Sequence, residues 1–227
     1  MQSFRVVAAG DAALVVELPA RVDPAVNSRL VFMADALRNR AAAVIRDAVV
    51  GYCTLTVYFD PLHVDAAWLE EQIRLVATEE PPEEQRAGAT IEVPVCYGGD
   101  LGPDLADVAA RCGCTEDEVI RLHIGVEYRV YVVGFVPGFA YMGVVDDRLA
   151  LPRRAVPRTR VPAGSVAIAA GQTGIYPIET PGGWHLLGRT PIRPFDENRE
   201  PPVLFRPGDL VHFRPIDREA FDRFVIV

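Results

Sequence analysis

The stretch that decides the fold lies between residues 134 and 191. It reads GFVPGFAYMG (134–143), PRRAVPRTRVPAGSVAIAAGQTGIYP (152–177) and TPGGWHLLGRTP (180–191). Glycine and proline at this density fix the backbone in turns. Short apolar runs separated by such turns indicate a β-barrel or a β-sandwich. Arginine and aromatic side chains carried on rigid turns are candidates for contact with a ligand or a partner.

Outside this stretch, the sequence pattern divides the chain into two parts. Residues 1–78 alternate strand and helix patterns in the order ββαββα, which is typical of a small α+β sandwich. Its first helix is predicted over 23–40, with its first residue as the cap. The charged, proline-containing segment EEPPEEQRAG (79–88) is typical of a linker. We therefore expect an α+β domain over 1–82 and a β-barrel domain over 89–227.

The second part is predicted to contain two helices and a series of short strands. The helices are predicted over 104–112 and 115–123, and the second opens with a capping box that begins at Thr115. The strands are predicted over 90–98, 128–135, 165–170, 173–178, 184–188, 209–214 and 221–227. Together with the first part, this pattern places the whole chain in the α+β class.

The composition excludes several kinds of chemistry. All 23 basic residues are arginine, so the chain has no P-loop lysine, no lysine for a Schiff base and no Ser-Ser-Lys amidase triad. A formal net charge of -8 argues against general nucleic-acid binding. No apolar run reaches the ~18 residues of a membrane helix. The four cysteines show no zinc-ligand spacing and no His, Asp and Glu cluster shows metal spacing, so we expect reduced thiols and no metal site. The N-terminal stretch MQSFRVVAAGDAALVVELP lacks the pattern of a signal peptide, so we expect a cytoplasmic protein.

Charge is distributed unevenly along the chain. Residues 150–193 carry six arginines against one acid, Glu179, within a chain of net charge -8. Arg153 and Arg158 lie in a proline-rich, extended segment, where they either reach a planar anion or form salt bridges on a solvated edge. Arg189, beside a glycine, is the strongest single candidate for binding an anion. The stretch therefore predicts a carboxylate ligand, a phosphate ligand or an acidic partner.

The loop GFVPGFAY is predicted to project aromatic side chains from a rigid hairpin. Pro137 and Gly138 form a turn dipeptide, so Phe135 and Phe139 cannot share one face of a helix. These two rings and Tyr141 either contact a ligand or partner, or they plug the mouth of the barrel.

Later in the stretch, polar and aromatic residues stand beside glycines on predicted turns. Gln172 and Tyr176 lie on a predicted hairpin and are candidates for binding an amide, although turn chemistry alone also explains the glycines around them. Gly183 lets backbone N–H groups approach a ligand. Trp184 either stacks on that ligand or fills the core.

Two residues are candidates for catalysis. His123 ends a predicted helix, where it acts either as a cationic cap or as a general base. Ser165 is a candidate nucleophile, but the sequence places no base beside it and its spacing differs from that of a nucleophile elbow. Hydrogen bonding is the alternative role for this serine.

These phrases together resemble one family. GFxPGFxYM, PRxxxPRxxVPAGSVAIAxGQTGIYP and PGGWxLLGRTP are similar to the signatures of the allophanate hydrolase subunit 1 family, which includes the B subunit of bacterial 5-oxoprolinase and the sporulation-kinase inhibitor KipI. The resemblance covers essentially the whole chain and is strongest over 123–196. The positions that match are His123, Phe135, Pro137, Gly138, Phe139, Tyr141, Arg153, Arg158, Gly164, Ser165, Gln172, Tyr176, Gly183, Trp184 and Arg189.

The resemblance implies a fold, partners and a reaction. It implies a cyclophilin-like β-barrel after the N-terminal α+β domain, a subunit 2 with which this chain forms a hetero-oligomer, and a LamB/YcsF-like third component. It also implies an ATP-dependent hydrolase of amide or lactam bonds, of the 5-oxoprolinase or allophanate hydrolase type. We expect this chain to be inactive alone, and ATP to be used by the assembled complex. The alternative is a non-enzymatic module that inhibits a sensor histidine kinase, as KipI does.

Overall fold

Antiparallel pairing organises the first part of the chain. The computed structural model describes residues 4–80 and 88–225, and the chain divides into two compact units, Met1–Gly88 and Ala89–Val227. The first unit contains β1 (Arg5–Ala8), β2 (Ala13–Glu17), α1 (Pro24–Arg40), β3 (Ile45–Val50), β4 (Thr54–Phe59) and α2 (Ala66–Thr78). Its described strands form a four-stranded antiparallel sheet in the order β1-β2-β4-β3. The predicted order ββαββα is confirmed, whereas most of the predicted linker lies outside the described residues.

Caps and apolar stripes explain the two helices of the first unit. Asp23 accepts a hydrogen bond from the backbone N–H of Ala25 at 2.8 Å, which satisfies one of the free donors at the start of α1. Asp65 caps α2 in the same way, through the N–H of Trp68 at 2.8 Å. The apolar residues of both helices form one buried cluster with one face of the sheet. A helix-on-sheet sandwich results, as the sequence predicts.

Seven described strands of the second unit close a barrel. The elements of this unit are β5 (Thr90–Tyr97), α3 (Leu105–Cys112), α4 (Glu116–Ile124), β6 (Tyr128–Val133), β7 (Ala140–Gly143), β8 (Arg158–Val161), β9 (Ser165–Ala169), β10 (Gln172–Ile175), β11 (Thr180–Gly182), β12 (His185–Arg189), β13 (Leu210–Pro215) and α5 (Arg218–Val225). The barrel order is β10-β7-β6-β13-β5-β12-β9, and β8 pairs with β11 in a separate small sheet. The predicted α+β class with a barrel is confirmed.

Local signals also explain the helices of the second unit. Gly113 adopts a left-handed conformation, with φ of 65°, and ends α3. The hydroxyl of Thr115 accepts a hydrogen bond from the N–H of Glu118 at 3.2 Å and caps α4. Apolar residues of both helices join the cluster that fills the barrel. None of the described helices is long and apolar enough to cross a membrane.

The strand predicted over 221–227 is wrong in the part that the structure describes, because the chain forms α5 there. Two ion pairs at i, i+4 spacing lie along this helix: Arg218 to Asp222 at 3.0 Å and Arg223 to Glu219 at 3.6 Å. Such pairs support a helix and have no counterpart in a strand. The run of apolar residues at the end of the sequence hides this pattern.

Candidate functional site

A second apolar cluster covers the outer side of one barrel wall. Along β9, Val166 and Ile168 join the core of the barrel, whereas Ala167 and Ala169 alternate with them and join the outer cluster. The buried residues of this outer cluster are Phe139, Val161, Ala167, Ala169, Tyr176, Trp184 and Leu186. All of them come from the stretch that decides the fold. The wall is therefore packed on both of its faces.

Four aromatic rings form the centre of the outer face: Phe139, Tyr141, Tyr176 and Trp184, named here the outer aromatic cluster. The ring centroid of Phe139 lies 4.7 Å from that of Tyr141, 5.2 Å from that of Tyr176 and 5.6 Å from that of Trp184. The last two contacts are edge-to-face, an arrangement that stabilises aromatic pairs. Only Tyr141 of the four is half-buried, and the other three are buried. Tyr141 is thus the most solvent-exposed member of the cluster.

The loop before β7 holds Phe135 outside this cluster. Phe135 is 62% exposed and has a φ of 69°, a left-handed conformation that disfavours residues other than glycine. Its ring meets the edge of Phe139 at 5.7 Å. Gly138 is buried with φ of 83°, and a Cβ there would lie 2.8 Å from that of Phe195, so only glycine fits the turn. The loop thus buries one predicted aromatic ring and presents the other, with Pro137 exposed beside it.

Groups of the chain itself fill the space beside the glycines of the predicted Gly-Gly-Trp turn. A Cβ at Gly182 would lie 2.3 Å from the hydroxyl of Tyr176, so this glycine makes room for the tyrosine. Burial raises the pKa of Tyr176, and a hydrogen bond from the backbone of Trp184 opposes that rise. Gly183 accepts a hydrogen bond through its carbonyl from the N–H of Arg154 at 2.8 Å. The close backbone approach that the sequence indicates is therefore made by Tyr176.

Asp104 joins three segments around this face. The residue is 3% exposed, and its carboxylate accepts hydrogen bonds from Arg158 at 2.7 Å, from Arg154 at 2.8 Å and from the N–H of Leu186 at 2.8 Å. Burial acts to raise the pKa of Asp104, but the hydrogen bonds from Arg158 and Leu186 outweigh it and hold that pKa below its usual range. Arg158 binds both carboxylate oxygens, so its guanidinium is occupied by an internal partner. Sequence reasoning did not mark Asp104 as part of the site.

Arg153 stands apart from its neighbours in the same segment. It is exposed, and among residues 4–80 and 88–225 no carboxylate forms an ion pair with it. Burial raises the pKa of Tyr141 and of Tyr176, and the positive charge of Arg153 opposes the rise at both hydroxyls. Arg153 is therefore close enough to act electrostatically on two hydroxyls of the outer aromatic cluster.

His123 lies inside the barrel unit and not on its surface. It is fully buried, its Nδ1 lies 2.8 Å from the hydroxyl of Tyr97, and its Nε2 lies 2.8 Å from that of Thr173. The Thr173 hydroxyl donates its proton to the carbonyl of Ala167 at 3.1 Å, so it accepts from Nε2–H of His123. Nδ1 is then bare and accepts from Tyr97. Tyr128 donates to the backbone carbonyl of His123 at 2.8 Å.

Burial lowers the pKa of His123 from 6.5 to about 3, so the ring is neutral at physiological pH. This overturns the cationic-cap alternative, because a cap of that kind needs a protonated ring. Both ring nitrogens are hydrogen-bonded to protein groups, and the side chain has no exposed surface. The histidine is held as one member of an internal polar network.

Ser165 and Arg189 are cross-strand partners on β9 and β12. The hydroxyl of Ser165 and the Nε of Arg189 are both buried, and neither has a hydrogen-bond partner in the described part of the chain. Gln172 is half-buried at the start of β10, opposite Gly143. The structure thus places Ser165 and Arg189 together, at the end of β12 away from Trp184, and places His123 elsewhere. In the described residues, no group of three or more His, Cys, Asp or Glu side chains could hold a metal ion.

The chain is similar in sequence to a known protein family over most of its length. The carboxyltransferase domain family, subdomains C and D, matches residues 4–205. A protein of Escherichia coli O157:H7 named as the B subunit of 5-oxoprolinase is 44% identical, over 95% of this chain and 97% of its own. The chain belongs to the family of 5-oxoprolinase B subunits. The resemblance drawn from the signature phrases is confirmed.

Two further proteins show how widely the family fold extends. The 5-oxoprolinase B subunit of Bacillus subtilis is 36% identical, over 95% of this chain and 94% of its own. The crystal structure of TTHA0988 is similar with a TM-score of 0.81 and 38% identity over 90% of this chain. This chain spans only 40% of TTHA0988. A fold of this family can therefore be one part of a longer polypeptide.

Proposed function

We propose that this chain is the B subunit of an ATP-dependent complex that opens the lactam ring of 5-oxoproline to give glutamate. The observation that carries the proposal is the likeness, along 95% of the chain, to relatives named as B subunits of 5-oxoprolinase. The chain acts only with a subunit 2 partner, and a LamB/YcsF-like protein is the third component. In the reaction, one water adds to the lactam carbonyl carbon, the C–N bond breaks, and the nitrogen leaves as the amino group of glutamate. A second water takes up the γ-phosphoryl group of ATP, so ADP and phosphate are released as well.

The substrate sets clear requirements for binding. 5-Oxoproline is a small anion that carries a carboxylate and an amide, so it needs a cation and hydrogen-bonding groups close together. Arg153 meets the first requirement, because it is exposed and lacks a carboxylate partner among the described residues. The half-buried Tyr141 hydroxyl is influenced by the same guanidinium and supplies the second. We assign Arg153 and the outer aromatic cluster to the substrate-facing side of the complex.

Phe135 is assigned to the contact with subunit 2. An aromatic side chain that is 62% exposed on a left-handed backbone is unfavourable both for solvation and for conformation. Such rings are enriched at the centres of protein interfaces, where burial against a partner recovers the apolar surface. Its position beside Phe139 brings the interface up to the outer aromatic cluster. Substrate and partner would therefore meet on one face of the barrel.

The requirement for a partner follows from the two candidate catalytic residues. The Ser165 hydroxyl is buried and has no base within hydrogen-bonding distance among the described residues. His123 is neutral and sealed in the barrel, with both nitrogens engaged. Neither residue is placed to act on a substrate at the surface of this chain. We therefore assign His123 a structural role and leave the activation of water to the assembled complex.

ATP is a co-substrate of the complex in this proposal. The chain has no lysine, so it cannot form the lysine-containing P-loop that holds nucleotide phosphates in many ATPases. ATP is accordingly assigned to the assembled complex and not to this chain alone. The four cysteines are free, which fits the reducing cytoplasm as the proposed compartment.

The test is reconstitution. This chain, its subunit 2 and the LamB/YcsF-like protein are purified, mixed and supplied with 5-oxoproline and ATP, and glutamate and ADP are measured. We expect glutamate from the complete mixture only, and none when any one component is left out. A folded, complete complex that releases no glutamate would overturn the proposal, and so would release of glutamate by this chain alone.

A matched pair of variants locates the site within the active complex. Arg153→Gln is expected to lower kcat/KM by at least about tenfold, because a charge-assisted hydrogen bond to the substrate is lost. Arg160→Gln is the control, since Arg160 is an exposed arginine of the same segment whose partner is Glu179 at 2.9 Å. An equal effect of the two substitutions would remove Arg153 from the site.

A further inference from the structure

A groove lies beside the end of β12, in a part of the barrel unit that the proposed function does not use. Its volume is about 630 Å³, within the range of small-molecule sites. The polar side of the groove is formed by Arg189 and Arg193, and its apolar side by Ile192, Phe221 and Phe224. Every lining residue belongs to the barrel unit, so the groove is complete in this chain.

Arg189 forms no ion pair in the groove with any of the residues that the structure describes. Its stem lies over Gly164, where a Cβ would come within 3.2 Å of the Arg189 Cγ, and φ of Gly164 is 79°. The Nε is buried without a partner among the described residues. Burial lowers the pKa of Arg189, and Asp100 opposes that effect from a distance. Asp100 itself forms an ion pair with Arg218 at 2.7 Å, so its charge is already matched.

Arg193, the second cation of the groove, also lacks an ion pair among the described residues. Arg193 is exposed, and no carboxylate within residues 4–80 or 88–225 forms an ion pair with it. Asp196 also lines the groove, and its carboxylate accepts a hydrogen bond from the N–H of Asn198 at 3.0 Å, so the lining carries two cations and one acid. Two arginines against one acid give the lining a net positive charge, which favours a bound anion.

The apolar side of the groove includes a phenylalanine, Phe224, whose ring is unusually exposed for so large an apolar side chain. Phe224, on α5, is 54% exposed, whereas Phe221, one helical turn before it, is buried. Phe224 thus extends the apolar wall into the groove. A ligand with a negative group and a flat apolar body would cover this ring while its charge reaches the arginines.

We propose that the groove binds a small oxyanion, a carboxylate or a phosphate, which bridges Arg189 and Arg193 while the body of the ligand packs on Phe224. Arg189 lines the groove and has no hydrogen-bond partner for its Nε in the described part of the chain, so its end of the groove is where the anion binds. Guanidinium groups recognise both kinds of oxyanion through paired N–H donors. The site does not depend on which reaction the assembled complex catalyses.

Binding to this chain by itself is the test, by isothermal titration calorimetry with two pairs of probes. 5-Oxoproline is compared with 2-pyrrolidone, the same lactam without a carboxylate, and ATP is compared with adenosine, with inorganic phosphate as a further probe. We expect at least one anionic probe to bind and its neutral counterpart not to bind. Binding of 5-oxoproline identifies a carboxylate site. Binding of ATP or phosphate identifies a phosphate site, and binding of ATP would assign the nucleotide site to this chain.

Variants connect the binding to the groove. Arg189→Met keeps the apolar stem over Gly164 and removes the guanidinium, so we expect the Kd of the bound anion to rise by about 10- to 100-fold. Arg193→Gln, at an exposed position that does not threaten folding, should raise it about threefold or more. Arg214→Gln is the control, an exposed arginine of the same unit outside the groove.

Three results would overturn the inference: no anionic probe binds at millimolar concentration, neutral probes bind equally well, or the Arg189 and Arg193 variants bind as the wild type does. Circular dichroism verifies the fold of each variant. If Arg189→Met does not fold, Arg193→Gln alone decides the outcome. Loss of glutamate release in the reconstituted complex, with anion binding intact, would count against the proposed function and not against the groove.

Discussion

Acid should destabilise the barrel unit through His123. The neutral ring donates to Thr173 and accepts from Tyr97, so protonation removes an acceptor and places an uncompensated charge in the core. Unfolded chains bind the proton with the ordinary histidine pKa of 6.5, and the folded protein binds it only near pH 3. Between these two values the unfolded state holds more protons, so the free energy of unfolding falls as the pH falls.

The magnitude follows from the two pKa values of His123. The gap from 6.5 to about 3 corresponds to about 5 kcal/mol, at ~1.4 kcal/mol for each pH unit. By pH 5 about 2 kcal/mol of it is lost relative to pH 7.5, since unfolded histidine is then almost fully protonated. Burial raises the pKa of Tyr97 and of Tyr128, so both phenols stay protonated throughout this range and do not contribute.

The assay is urea denaturation at pH 7.5, 6 and 5, followed by tryptophan fluorescence. Trp68→Phe in the first unit leaves Trp184 as the reporter of the barrel unit, where it is buried in the folded state. The comparison is between this background and the same protein with His123→Gln, whose amide can donate to Thr173 without titrating. We expect the protein with His123 to lose about 2 kcal/mol more than the glutamine variant between pH 7.5 and pH 5.

The measured quantity is the difference between the two proteins in how steeply the free energy of unfolding changes with pH. Carboxylates elsewhere contribute equally to both proteins and cancel in this difference. His212→Gln, at a surface histidine of the same unit, is the control and should leave the steep dependence in place. If the His123→Gln variant loses stability on acidification as the parent does, within about 0.5 kcal/mol, the reasoning about the buried network is refuted.

Three further changes test the packing of the proposed site. Asp104→Asn leaves two arginines without their shared charge and should lower the free energy of unfolding by about 3 kcal/mol in urea denaturation; a loss below about 1 kcal/mol would contradict this. Gly174→Ala places a Cβ 2.9 Å from the carbonyl oxygen of Ala140 and should cost about 1–3 kcal/mol, whereas Gly134→Ala, with no contact closer than 4.0 Å, should be near neutral by the same measurement. Phe135→Gly relieves the left-handed strain and should keep stability within about 1 kcal/mol of the wild type, yet weaken binding of subunit 2 at least about tenfold in calorimetry; unchanged binding would exclude the ring from the interface.

Local signals in the sequence are enough to predict most of the fold. The cap at Asp23 and the capping threonine before α4 act over a few residues, so they are visible in the sequence and present in the structure. In the 134–191 stretch, the predicted strands correspond to β9, β10 and β12, whereas the barrel strand β7 and the small sheet of β8 and β11 are not predicted. The helix α5 escapes prediction because its i, i+4 ion pairs overlap with the apolar residues at the end of the sequence.

The electrostatics of the site could not be predicted in the same way, because the partners lie far apart in sequence. Six arginines against one acid in 150–193 predict a strong basic patch. Asp104, which precedes that segment by more than 40 residues, binds two of them, Arg154 and Arg158. Fewer arginines of this segment are therefore available to bind an external anion than the six counted in the sequence. A count of charges within one segment does not include an acid that approaches the segment only in the folded chain.

The network around His123 shows the same limit in the core. Its partners Tyr97 and Thr173 lie 26 residues before it and 50 residues after it. A histidine at the end of a helix is compatible with a surface cap in sequence, and only barrel closure turns its ring inward. Long-range packing thus decides between roles that local context leaves open.

One strand of the barrel wall behind the outer aromatic cluster, β9, is covered on both of its faces. Every residue of β9 is buried, with valine and isoleucine on the inner face and alanine on the outer. Amide hydrogens in such a strand exchange only when the whole unit opens, so the rings that pack against its outer face keep their relative positions before any partner arrives. Association would then demand little rearrangement of this subunit, and its on-rate would be set by encounter and orientation rather than by refolding.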